Sequence, residues 1–138
     1  MTAPFAIEPV GTVASPLTDP SEAPKQGDEG APDAWIAVEA SIVDALRGIE
    51  PGQELLVLTW LDRARRDVLT VHPRSDTSRP QQGVFNTRSP DRPNPIGLHR
   101  VEVLSIDGAR LQVRGLEAVD GTPVVDLKPV LGGDVDER

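Results

Sequence analysis

The stretch GVFNTRSPDRPNPIGL, residues 83–98, gathers groups that can hold an anion and read a base edge. Arg88 and Arg92 carry planar guanidinium forks that match carboxylate or phosphate oxygens. Asn94 offers both a donor and an acceptor. Pro90, Pro93 and Pro95 each fix their own φ and bias the preceding residue toward extended backbone. The result is a semi-rigid loop whose ordering entropy is largely removed before a ligand arrives. The same residues also read without a ligand, with Asp91 paired to one arginine and Asn94 closing a turn.

A second stretch, GLEAVDGTPVVDLKP at 115–129, carries the carboxylates Glu117, Asp120 and Asp126. Beside an electron-poor centre such groups stabilise a cation or accept a proton. Asp120-Gly121-Thr122-Pro123 reads equally as a plain reverse turn, with Asp120 accepting backbone N–H bonds and Gly121 at positive φ. Other chemistries are excluded. There is no Cys, hence no disulfide, thiolate zinc site or Cys nucleophile. No G-x-G-x-x-G follows a strand and no P-loop is present. Ser89 lacks a G-x-S-x-G context. His72 and His99 lack carboxylates at ligand-like spacing and read as ordinary strand-end histidines, so no metal is expected.

The elements that must position these loops are short. Residues 6–15 read as a strand broken by Pro and Gly, and 35–40 as another. Ser41–Gly48 is the helix candidate, about two turns long, with Ser41 as N-cap and Gly48 as the stop. ELLVLTWL (54–61) suits a buried central strand. Residues 66–73 alternate like a strand, and 74–82 should loop. Residues 101–106 and 109–116 form a hairpin around Asp107-Gly108, and the turn at Asp120 leads into a last strand. Six or seven short strands with one short helix predict a mainly β protein. The expected fold is a small, largely antiparallel β-barrel in a single domain over 1–138, its core at about 7–130.

The 138 residues carry a net charge of −8, unevenly distributed. Asp62 to Arg100 holds eight Arg against four Asp, while the remainder holds six basic and eighteen acidic groups. The loop at 83–98 thus sits in the basic section of an acidic protein, although Arg63, Arg65, Arg66, Arg74 and Arg79 read equally as solvated surface. MTAPFAIEPV lacks the pattern of a secretory signal, and no apolar run suffices to span a bilayer. The expectation is a soluble, cytoplasmic protein without a membrane partner.

Together GVFNTRSPDRPNPIGL and DGTPVVDLKP resemble the paired signatures of the TsaA-like (TrmO, YaeB, VirR) family. IEPVGTVASP (7–16) resembles that family's opening strand, and PKQ (24–26) its Pro-Arg-Gln loop. The resemblance covers about residues 7–130. It implies a small β-barrel that binds S-adenosylmethionine outside any Rossmann domain, as a homodimer with the site near the subunit interface. It also implies methylation of N6-threonylcarbamoyladenosine in tRNA. Carried over, it puts Lys25, Gln26, Arg88, Asn94, Leu98, Glu117, Gly121 and Thr122 at the cofactor, with Lys128 shaping the pocket. Asp120 or Asp126 becomes the expected base, and Arg88 or Arg92 the clamp for a threonyl carboxylate or an RNA phosphate. Three departures stand out: Asn86 replaces the usual Ala, Lys25 replaces Arg, and Val130 follows Lys128-Pro129 where Tyr is common. The chain also stops soon after the barrel, where longer members carry a C-terminal extension. These features keep two alternatives open: a methyltransferase for a small molecule or another RNA, and a non-catalytic S-adenosylmethionine-binding regulatory module.

Overall fold

Alternation decides the architecture. Leu55, Val57 and Thr59 share one face of their strand, and Gly97, His99, Val101 and Val103 share one face of theirs; all are buried. The computed structural model describes residues 3–19 and 31–132, with Arg74 by its backbone alone. Its strands are β1 (Gly11–Ala14), β2 (Ala34–Val38), β3 (Glu54–Trp60), β4 (Thr70–Val71), β5 (Gln82–Gly83), β6 (Ile96–Asp107), β7 (Arg110–Arg114) and β8 (Pro123–Pro129). Six of them form a closed antiparallel barrel in the order β1-β2-β7-β6-β3-β8, with β8 pairing back onto β1. Closure leaves the barrel without a free edge. Ile36, Leu55, Val57, Val103, Leu111 and Val113 fill its interior. β4 and β5 form a separate two-stranded ribbon.

The expected mainly β barrel is therefore observed, with shifts at particular elements. β1 starts only at Gly11; residues 3–9 lie exposed outside the sheet. The strand expected at 66–73 shrinks to Thr70–Val71, and Arg66, at its expected start, bonds to Pro93 and Asn94 of the proline-rich loop instead. The helix is a 3₁₀ segment, Ala40–Leu46, with non-helical backbone at Ile42 (φ −123°, ψ 21°) and no side-chain cap. Two β-branched residues, Ile42 and Val43, sit where an α-helix would nucleate. Gly48 ends it at φ +95° as expected. The hairpin turns at Gly108–Ala109, one residue later than read, with Asp107 opposite Arg110 and Gly108 at φ +60°. That is the glycine-first pattern of a type II′ turn. The last shift bears on the site. β6 begins at Ile96, so Leu98 and His99 belong to a barrel strand paired with β3 and not to the loop.

Gly11 is where β1 and β2 approach most closely. A β-carbon there would lie 2.6 Å from the Ala37 carbonyl oxygen of β2. Gly11→Ala should therefore cost about 1–3 kcal/mol, as overpacking does. Gly83, at φ −62° with open space around it, should accept Ala neutrally or gain about 0.4–1 kcal/mol through the unfolded state. Urea denaturation of the two variants checks this; equal midpoints would refute the assignment of Gly11 as a close-approach site.

Candidate functional site

The loop between β5 and β6 has few sheet partners, and its backbone is satisfied by side chains instead. Arg92 turns inward. Its Nη1 donates to the carbonyls of Thr87 (3.1 Å) and Ser89 (2.9 Å), and its Nη2 to that of Val84 (2.9 Å). The loop is then laced to the segment that follows β3. The Arg65 amide donates to Asp91 Oδ1 at 2.8 Å, and the Arg92 amide donates to the Arg65 carbonyl at 3.0 Å. Arg66 donates through Nε to the Pro93 carbonyl (2.7 Å) and through Nη2 to Asn94 Oδ1 (2.8 Å), and its guanidinium lies 5.1 Å from the Trp60 ring centroid. Leu61 closes the seam by donating to the Pro95 carbonyl.

Residues of this laced pair of loops line an open cleft of about 1970 Å³ together with Glu117, Ala118, Val119 and Thr122. The floor is polar and buried. Thr59 Oγ1 and His99 Nε2 are 2.7 Å apart, and His99 Nδ1 meets Glu117 Oε1 at 2.5 Å. The side chain of His99 is 6% exposed and that of Glu117 14%. Glu117 Oε2 is buried and has no hydrogen-bond partner among the described residues. Gly97, opposite Thr59 in the β3–β6 ladder, makes the arrangement possible. A β-carbon there would come 2.4 Å from Thr59 Oγ1 and 2.8 Å from His99 Nε2.

Of the residues expected at the site, Arg88, Arg92, Asn94, Leu98, Glu117 and Thr122 line this cleft. Arg88 is exposed, and among the described residues its guanidinium has no hydrogen bond or ion pair. Arg92 is engaged with its own loop, and Asn94 with Arg66. Thr122 is buried, donating to the Val119 carbonyl at 2.7 Å. Two carboxylates are not brought in. Asp120 is exposed and outside the lining; its Oδ1 accepts the Ser15 amide at 3.0 Å, which makes it the turn residue of the plainer reading. Asp126 lies on the wall of a second cavity, about 360 Å³, beneath the 3₁₀ helix, where it pairs with Lys128 at 3.2 Å. A base role for Asp126 in the cleft, and pocket shaping there by Lys128, lack the required proximity. Gly121 takes φ +85° in the turn, as expected of it, and is outside the lining. Lys25 and Gln26 lie outside the described residues. No group of three His, Cys, Asp or Glu able to hold a metal occurs among the described residues, and no described helix is long and apolar enough to cross a membrane.

Sequence reasoning did not pair Thr59 with His99. The signal was strand parity, since both fall on the inward phase of apolar strands. It also missed His72, which lines the cleft and contacts the Arg79 carbonyl at 2.9 Å.

Charge within the basic section is partly compensated. Arg65 and Asp67 form a forked pair, whose hydrogen bonds hold the Asp67 carboxyl below its ordinary range and raise Arg65 further. Arg100 grips Glu54 and lowers its pKa likewise. The Ser78 hydroxyl and amide lower Asp76. Arg63, Arg66 and Arg92 bond instead to uncharged oxygens and keep their charge.

If Arg92 is what orders the loop, Arg92→Ala should speed amide hydrogen exchange across residues 84–92 by at least tenfold, with β2 and β7 unchanged. Exchange measured by mass spectrometry tests this; uniform protection would show that the prolines alone order the loop.

Comparison with known proteins agrees with this layout. The family model described as the tRNA-methyltransferase O N-terminal domain matches residues 12–136. An S-adenosyl-L-methionine-binding protein of Archaeoglobus fulgidus is 45% identical over 122 residues, spanning 88% of this chain and 86% of the relative. A longer "probable S-adenosyl-L-methionine-binding protein" of the same organism is 49% identical over 123 residues, of which this chain spans a third of the length (33%). The crystal structure of TrmO from Pseudomonas aeruginosa superimposes with a TM-score of 0.75 at 26% identity, covering 94% of this chain and 57% of that one. A barrel closed in this order and a family match over nearly the whole chain lead to one conclusion: this protein belongs to the tRNA-methyltransferase O N-terminal domain (TsaA-like) family.

Proposed function

We propose that this chain is an S-adenosylmethionine-dependent methyltransferase acting on tRNA, with N6 of threonylcarbamoyladenosine as the acceptor. The observation that carries the reading is convergence. Residues from two segments about thirty residues apart in sequence line one cleft, with a guanidinium at Arg88 and a buried carboxylate oxygen at Glu117 that have no partner among the described residues.

The residues fit the cofactor. S-adenosylmethionine presents a carboxylate, an ammonium, ribose hydroxyls and a purine. Arg88 can fork the carboxylate, Glu117 Oε2 can accept from a donor, and Leu98, 42% exposed on the cleft side, offers apolar surface to a ring. Lys25 and Gln26 belong to the same reading by motif. When bound, the cofactor supplies a methyl group on a cationic sulfur, open to attack by a nucleophilic nitrogen. The chain's own part is alignment: Arg92 and the prolines hold Arg88 in place, and a prealigned pair of reactants needs little further help. With Asp120 and Asp126 away from the cleft, the proton released by the acceptor nitrogen passes to solvent in this open site. A homodimer working in the cytoplasm completes the reading, with the exposed apolar side chains of Phe85, Ile96 and Leu98 as surface for the second copy.

The Arg65–Asp67 and Arg100–Glu54 pairs, in a chain of net charge −8, favour a weaker hold on RNA. They support the second reading, a module that binds the cofactor without transferring its methyl group to tRNA.

Arg88→Ala should weaken S-adenosylmethionine binding at least tenfold, about 1.4 kcal/mol, by calorimetry. Mass spectrometry of tRNA nucleosides from cells with and without the protein should show loss of the methylated nucleoside. Unchanged nucleosides alongside intact cofactor binding would favour the second reading.

A further inference from the structure

Glu117 is bound on one oxygen and orphaned on the other. Its Oε1 meets His99 Nδ1 at 2.5 Å, while Oε2 is buried without a partner. A buried acceptor without a donor is costly, and such groups in folded proteins call for an explanation. The other end of the contact gives one. Thr59 is fully buried, and His99 Nε2, at 2.7 Å, is the partner of its hydroxyl among the described residues. The hydroxyl proton therefore goes to Nε2, Nε2 is the acceptor, and the ring proton sits on Nδ1, donated to Glu117. Thr59, on β3, and the Glu117 carboxylate thus ask the same tautomer of His99, on β6, and His99 commits one oxygen of Glu117, a residue of the cleft lining, while leaving the other uncommitted.

We propose that Thr59 and His99 are positioning residues that orient the Glu117 carboxylate, so that its Oε2 accepts a hydrogen bond from a donor group of the ligand. The proposal rests on the reading of the cleft as an S-adenosylmethionine site. That molecule offers two kinds of donor, the ammonium of its amino-acid end and the hydroxyl or amino groups of its adenosine end. Thr59 acts only by holding the imidazole. Gly97 is the companion requirement, because any side chain there would occupy the space where His99 leans toward Thr59.

The test uses the full chain with Thr59→Val, Thr59→Ser and Glu117→Gln. In the free protein, ¹⁵N–¹H correlation spectra of the imidazoles should show His99 as the Nδ1–H tautomer in the wild type and in Thr59→Ser, and in Thr59→Val a displaced Nε2 resonance, because that nitrogen has lost its hydroxyl donor. By calorimetry, Thr59→Val should bind S-adenosylmethionine about tenfold more weakly, and Thr59→Ser should recover most of the affinity. Glu117→Gln keeps an acceptor for His99 but turns an NH₂ toward the ligand, so it should lose more than Thr59→Val does. Adenosine as a second probe locates the donor. If Thr59→Val weakens adenosine too, the donor is at the adenosine end; if it weakens only the whole cofactor, the donor is the ammonium. Either pattern supports the relay. If Thr59→Val keeps wild-type affinity for both probes, or if His99 in the wild type is the Nε2–H tautomer, the proposal is overturned. Failure of the wild type to bind S-adenosylmethionine would instead refute the reading of the cleft, while the spectra would still report on the relay.

Discussion

One guanidinium holds the functional end of this molecule together. A loop with three prolines has lost three backbone donors, and its extended stretches cannot satisfy their own carbonyls. Arg92 answers with three donated hydrogen bonds, to Val84, Thr87 and Ser89. A charged donor bonds more strongly than a neutral one, and a planar fork reaches several carbonyls from one stem. With the loop closed around that group, its outer surface is free to meet other chemistry. Arg88 lies between two of the bracing carbonyls in sequence and is exposed. The two arginines of the motif thus divide the work, one binding inward so that the other can be presented outward.

The barrel contributes through strand β6, which runs from the cleft floor into the core without interruption. Its inward phase reads Gly97, His99, Val101 and Val103, passing from a polar end to an apolar one. β3 matches it with Thr59, then Val57 and Leu55. A polar cluster set at the end of two packed strands has little room to relax, because the neighbouring positions are fully packed. That rigidity lets two short contacts, Thr59 to His99 and His99 to Glu117, define an orientation. Glu117 joins this strand pair from the connection between β7 and β8.

What could be read in advance follows from how local each signal is. Strand β3, the hairpin after Asp107 and the stop at Gly48 depend on short-range patterns and were legible. The partner of each loop side chain was not legible. Arg66 reaches residues 93 and 94, and Asp91 takes the Arg65 amide, pairings that only the fold brings together. The plainer alternatives for Asp91 and Asn94 came close to the outcome, for both are used internally. The placement of Asp126 was not legible for a related reason. Nearness in sequence to Asp120 suggested a shared site, but strand β8 carries Asp126 away from the turn to the other cavity. His99 was read as an ordinary strand-end histidine because no carboxylate stood at metal-ligand spacing from it; Glu117, its partner, arrives from eighteen residues away.

The distribution of charge makes better sense in three dimensions than as a sum. Arg65 and Arg100 are compensated by carboxylates, which removes them from any long-range field. Arg63, Arg66 and Arg92 are held by carbonyl and amide oxygens, and such contacts fix a cation without neutralising it. The wall of the cleft therefore carries positive charge that is already ordered, while acidic groups dominate the rest of the sequence. An anionic partner approaching elsewhere meets repulsion, and one approaching the cleft meets prepaid attraction. An acidic protein with a basic cleft wall thereby restricts where an anion can dock, and overall acidity acts as a device of orientation.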